Sequence, residues 1–93
     1  MQKFNLGTVT FTRAVNDTIA DNGLFAQEAT AALRRYIACD WGDTCRADRT
    51  INDNAVASGQ DRIVAMYVTS KGKICIITEW DRSFTTVMFA NEY

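Results

Sequence analysis

Apolar positions recur along this chain with two different periods, and the change from one to the other divides it. Phe25, Ala29, Ala32, Leu33, Tyr36 and Ile37 fall on one face of a helix, and Gln27, Glu28, Thr30, Arg34 and Arg35 fall on the other. Glu28 lies early in that helix and Arg34 and Arg35 near its end, an order that suits the helix dipole. From Arg62 onward the period is that of a strand. RIVAMYVT, a turn at Ser70 to Lys73, ICIITEW, a turn at Asp81-Arg82-Ser83 and FTTVMFA predict a three-strand antiparallel meander. Its second hairpin, Lys73 to Ala90, places the most chemically loaded turn of the chain between two β-branched runs.

The remaining segments follow the same logic. Phe4 to Thr12 alternates partly and is rich in Thr and Val, which predicts a first strand with Gly7 as a bulge or at its start. Ala14, Val15, Thr18 and Ile19 have helical spacing, which predicts a short helix over Arg13 to Asp21. Gly23 is suited to end that helix in a left-handed conformation, and Asp21 or Asn22 to cap the next. After a break at Asp40-Trp41-Gly42-Asp43, Thr44 or Asp43 can cap a further helix over Cys45 to Ser58, which Gly59 closes. That helix has only a narrow apolar stripe of Ala47, Ile51 and Ala55 with Val56 beside it, so a surface position is expected. The whole reads as one α+β domain spanning residues 1–93. The expected architecture is an antiparallel sheet of three to four strands, the C-terminal meander plus the N-terminal strand, with two to three helices packed on one face. The first strand is expected at an edge or next to the last strand.

Composition narrows the function. With 47% hydrophobic and 23% charged residues the chain is an ordinary globular one. A net charge of -1 argues against binding nucleic acid by phosphate neutralisation, which needs a clustered Lys/Arg excess. The charge is uneven, however: Asp40, Asp43, Asp48, Asp53 and Asp61 in the middle of the chain face only Arg46 and Arg49. Three cysteines, Cys39, Cys45 and Cys75, cannot all pair within one chain, and Cys75 sits in an apolar run as a small hydrophobe, so a reducing cytoplasmic setting is expected. The N-terminal residues lead straight into a strand-like pattern and no apolar run is long enough to cross a bilayer, so neither a signal peptide nor a membrane partner is expected.

Candidate chemistry is sparse. With no histidine, a Ser or Cys nucleophile has no imidazole base, and no phosphate loop, dinucleotide fingerprint or paired CxxC is present; no cofactor or metal is expected. Glu79 and Asp81, two residues apart, would share one face of a strand, where they could hold a metal or share a proton. The structural alternative is that Asp81 accepts turn N–H groups and Arg82 pairs with Glu79 or Asp81. Trp41 reads as a core aromatic at a helix junction, whereas Trp80, beside a polar turn, is the tryptophan expected to be exposed. Asp40, Asp43, Asp48 and Asp53 read either as a solvated acidic face or as a patch that docks on a basic, nucleic-acid-handling protein.

The combination of Asp40-Trp41-Gly42-Asp43, Asp48, Asn52 and Ala55, Ile76-Ile77-Thr78-Glu79, Asp81-Arg82-Ser83, Thr85-Thr86 and Glu92-Tyr93 resembles a family of small bacterial plasmid-related proteins. They are carried on plasmids, prophages and other mobile elements, and some are described as restriction-system proteins. The resemblance extends over nearly the whole chain; Trp80 stands where the family has a small residue, and Met88-Phe89-Ala90 where it has Leu-Leu-Pro. It implies an accessory role in a mobile element. The expectation is a non-enzymatic inhibitor of a bacterial immune effector, of anti-CRISPR or anti-restriction type, that binds a host nucleic-acid-handling defence complex by protein–protein contact. Asp40, Asp43, Asp48, Asp53, Trp80, Asp81 and Arg82 are its candidate partner-binding residues. The alternative is a small metal-assisted nuclease using Glu79 and Asp81.

Overall fold

The computed structural model describes residues 2–93. The chain forms β1 (Thr8–Phe11), α1 (Arg13–Asp21), α2 (Gly23–Ile37), α3 (Arg46–Ser58), β2 (Ile63–Thr69), β3 (Gly72–Thr78), β4 (Phe84–Phe89) and a closing 3-10 turn over Ala90–Glu92. The strands make one sheet in the order β1-β4-β3-β2. β2, β3 and β4 are the expected antiparallel meander. β1 lies at the edge beside β4 but runs parallel to it, Thr8 opposite Phe84 and Phe11 opposite Val87, so the sheet is mixed rather than antiparallel throughout. The reason is the crossover. The helices carry the chain back to the end of the sheet where β1 began, so β2 starts in the direction of β1. Two hairpin reversals then leave β4 pointing the same way.

Alternation assigns the faces. Ile63, Ala65 and Tyr67 of β2, Ile74 and Ile76 of β3 and Val87 of β4 are buried against Val15 of α1 and Phe25, Ala32 and Tyr36 of α2. Trp41 joins this core as expected, 4% exposed, with its ring 5.6 Å from Tyr36 and 6.1 Å from Phe4. Cys75 points to the other face, is fully buried, and is held between Met66 and Met88 in the sheet register. Asn22 caps α2 through Phe25 N–H at 2.9 Å, one of the two caps expected. Gly23 does not end α1 in a left-handed turn; it is the first residue of α2, because the extended Asn22 already separates the helices. Gly59, with φ 72, closes α3.

Gly7 sits at the start of β1 with φ 64, and a Cβ there would collide with the carbonyls of Arg82 and Ser83. The backbone of β1 can therefore lie directly on the β3–β4 turn only with glycine at this position. A line of buried hydroxyls ties the layers together. Tyr36 Oη is 2.8 Å from Thr78 Oγ1, Thr78 Oγ1 is 2.7 Å from Thr85 Oγ1, and Thr85 Oγ1 donates to Leu6 O at 2.7 Å. Each hydroxyl has one proton, and a single direction from Tyr36 through Thr78 and Thr85 to Leu6 O satisfies all of them. Burial raises the Tyr36 pKa above its ordinary value, which keeps the phenol neutral as a donor.

Thr78→Val removes the middle hydroxyl at nearly constant volume, so Thr85 Oγ1 loses its donor and Tyr36 Oη is left with the longer contact to Ile63 O at 3.2 Å. Urea denaturation is expected to show a loss of about 1–3 kcal/mol with an unchanged m-value.

Candidate functional site

β2 is an edge strand, and its outer side is where α3 and the loop before it settle. Asn52, buried in mid-helix, accepts from Val64 N–H at 3.2 Å and donates to Val64 O at 2.8 Å. Thr44 Oγ1 accepts from Met66 N–H at 2.9 Å, Asp43 N–H donates to Met66 O at 2.8 Å, and Asp43 Oδ2 accepts from Val68 N–H at 2.9 Å. Thr44 or Asp43 is the expected cap of α3; instead Cys45 occupies the N-cap position without a side-chain cap bond, and Thr44 and Asp43 satisfy the strand edge. Gly42, with φ 62, allows this close approach, since a Cβ there would meet the Tyr67 ring and Met66 O.

The acidic residues therefore have different employments. Asp40 pairs with Arg35 in a two-pronged contact at 2.9 and 3.2 Å and accepts from Gly42 N–H, and the Arg35 hydrogen bonds hold its carboxyl below the usual range. Asp53 accepts from Trp41 Nε1 at 2.8 Å and so anchors the core tryptophan. Asp43 is engaged with β2. Asp48, in the first turn of α3, is exposed and makes no ion pair or side-chain hydrogen bond among the described residues. With Asp43 it stands at a groove of about 430 Å³ between α3 and the helix-free face of the sheet. Ile51, Val64 and Met66 give that groove an apolar lining, and Arg62 and Tyr93 contribute a further part, with the guanidinium 2.9 Å from the Tyr93 hydroxyl and 5.8 Å from its ring centre.

The second candidate region is the β3–β4 turn. β3 ends at Thr78, so Glu79 and Asp81 lie in the turn and not on one face of a strand. Asp81 accepts from Ser83 N–H at 3.0 Å, and hydrogen bonding by Ser83 holds its carboxyl below the usual range. Arg82 does not pair with either carboxylate. Its guanidinium donates to five backbone carbonyls: Asp61 O at 2.6 Å, Ala55 O at 3.0 Å, Trp80 O at 3.1 Å, Glu79 O at 3.2 Å and Gln60 O at 3.5 Å. Ala55 O also accepts from Gly59 N–H at 3.0 Å, and it lies in the last turn of α3, where the helix dipole concentrates negative charge that favours a cation. Arg82 has φ 61, a conformation uncommon outside glycine, and its bonds hold the turn there. Trp80 projects from this fastened turn with 67% of its surface exposed.

Reactive groups do not converge. Among the described residues no group of three or more His, Cys, Asp or Glu side chains is placed to hold a metal. Burial pushes the Cys75 thiol up to about 11, so it is protonated at neutral pH. Sequence reasoning missed the roles of Asn52, Thr44 and the Arg62–Tyr93 pair; Ala47 and Ile51 of the expected apolar stripe are exposed, and the usable signal was Asn52 three residues before Ala55, on the face that packs inward. No helix among the described residues is long and apolar enough to cross a membrane. Compared with family profiles, curated proteins and solved structures, the chain matches none.

Asn52→Ala leaves the Val64 N–H and C=O without partners beside a helix that excludes water. It is expected to cost about 1–3 kcal/mol in chemical denaturation, while Asp48→Asn in the same helix changes stability by less than about 0.5 kcal/mol.

Proposed function

We propose that this chain acts by docking onto a protein partner and not by catalysis. The partner class we assign is a bacterial immune effector of the CRISPR or restriction type, encountered in the cytoplasm. That class rests on the resemblance to mobile-element proteins. The docking mode rests on one observation: Trp80, two-thirds exposed, is presented by a turn whose conformation is held by five hydrogen bonds from Arg82. A large aromatic on a rigid support loses little conformational entropy on binding, and such residues are frequent anchors of protein interfaces. In this reading Trp80 and Asp81 are contact residues, and Arg82 is the support beneath them. Asp48, whose carboxylate is free of internal hydrogen bonds among the described residues, adds charge complementary to the basic channels of nucleic-acid-handling proteins, and speeds association. Asp40, Asp43 and Asp53 contribute field, their side chains being committed internally.

The test is affinity purification from a bacterium carrying CRISPR and restriction systems, paired with phage-restriction assays on expression. An effector is expected to co-purify, and restriction to fall. Trp80→Ala is expected to weaken that binding at least about tenfold while the melting temperature stays within about 2 °C, because the side chain packs on little. Recovery of no effector together with unchanged restriction, or binding indifferent to Trp80→Ala, would contradict the reading.

A further inference from the structure

The groove between α3 and the helix-free face of the sheet has an apolar floor and unpaired charges of opposite sign. Val64 and Met66 of β2 form the floor, and Ile51 of α3, 56% exposed, stands at its side. Asp43 marks one end, where its Oδ2 accepts from Val68 N–H, and Asp48 follows in the first turn of α3. Arg62 enters from the opposite end of β2, one residue before the strand begins. Its guanidinium donates to Tyr93 Oη at 2.9 Å and makes no other side-chain hydrogen bond among the described residues. Although both line this groove, neither Arg62 nor Asp48 belongs to an ion pair among the described residues. A concavity of about 430 Å³ with an apolar floor and a few placed polar groups has the form of a binding site.

We infer that this groove binds a short extended peptide segment of a partner protein, with a basic side chain at one end, an apolar side chain in the middle and a carboxylate at the other. Charge complementarity sets the pattern. The basic side chain meets Asp48 and the second carboxylate oxygen of Asp43; the carboxylate meets the guanidinium donors that Tyr93 leaves free; the apolar side chain lies on Val64, Met66 and Ile51. Length selects a peptide over a free amino acid. At the rise of a strand, Arg62 and Val68 are on the order of 20 Å apart, and side chains reaching inward leave on the order of 10 Å between the charges. The ammonium and carboxylate of one amino acid share a single carbon, whereas an extended segment of about three to five residues reaches both ends. Recognition is through side chains, because the outward groups of β2 are already taken by Asn52, Thr44 and Asp43 and the segment cannot add as a further strand. No residue lining the groove belongs to the Trp80 turn, so the site does not rest on the docking role of Trp80.

Selection from a random library of peptides about seven residues long, displayed against the immobilised protein, tests it. Enriched sequences are expected to place Lys or Arg and Asp or Glu on opposite sides of an apolar residue. A synthesised member is expected to shift the methyl resonances of Ile51, Val64 and Met66 and to saturate them below about 1 mM. Asp48→Lys is expected to weaken that peptide at least about tenfold, and exchange of the peptide's basic residue for Glu to restore binding to this variant; Arg62→Glu should behave likewise toward the acidic end. Both positions are exposed, so the far-ultraviolet spectrum should be unchanged, and Asp48→Asn gives a milder loss of about threefold should the lysine disturb α3. Trp80→Ala should leave the affinity as it was. An absence of enriched peptides, shifts that fall outside the groove, affinity indifferent to both charge reversals, or binding lost with Trp80→Ala would overturn the inference.

Discussion

The outer edge of β2 is the constraint from which most of this structure follows. An edge strand beside a helix exposes N–H and C=O groups that water cannot reach freely, and each one left unpaired costs as much as a lost hydrogen bond. Here Asn52 serves Val64 twice, Thr44 and Asp43 serve Met66, and Asp43 serves Val68. Those bonds fix α3 alongside the strand and lay the loop from Asp40 to Thr44 flat against it. The loop in turn directs Trp41 into the core against Phe4 and Tyr36. Because α3 is held there, its Ala55 carbonyl and those of Gln60 and Asp61 just after it lie within reach of Arg82, and Arg82 sets the turn that presents Trp80. A surface residue proposed to recognise a partner thus depends, through a helix end, on an asparagine one turn earlier in that helix.

This dependence changes how the acidic segment is understood. Five aspartates in the middle of a chain suggest a charged surface, yet three of them hold parts of the fold: Asp40 pairs with Arg35, Asp43 closes the strand edge and Asp53 anchors Trp41. Charge remains available to a partner from all of them, since they are exposed, but freedom to rearrange on binding belongs to the carboxylates of Asp48 and Asp61. The division between the two roles is set by geometry that composition cannot reveal.

What was legible in the sequence was whatever is encoded locally. The face of α2 is visible from Phe25 to Ile37, the strands of the meander from their period and turns, and the contrast between a core Trp41 and an exposed Trp80 from their neighbours. What was not legible depends on segments remote in sequence. A Thr or Asp ahead of a helix looks the same whether it caps that helix or, as Thr44 and Asp43 do, a strand more than twenty residues on. Arg82 follows two nearby carboxylates, Glu79 and Asp81, which suggests ion pairs; its partners are backbone carbonyls that leave no mark in side-chain chemistry. The parallel pairing of β1 depends on how many reversals separate it from β4, and no residue of β1 records that count.

A double-mutant cycle between Asn52 and Arg82 tests the linkage most directly. The side chains do not touch each other, and they are joined only by the placement of α3, so independent sites would give additive losses of stability. With Asn52→Ala and Arg82→Met measured singly and together by urea denaturation, the expected result is a coupling of at least about 1 kcal/mol, because a helix released from β2 no longer offers its carbonyls to Arg82. Additivity within about 0.3–0.5 kcal/mol would contradict the account.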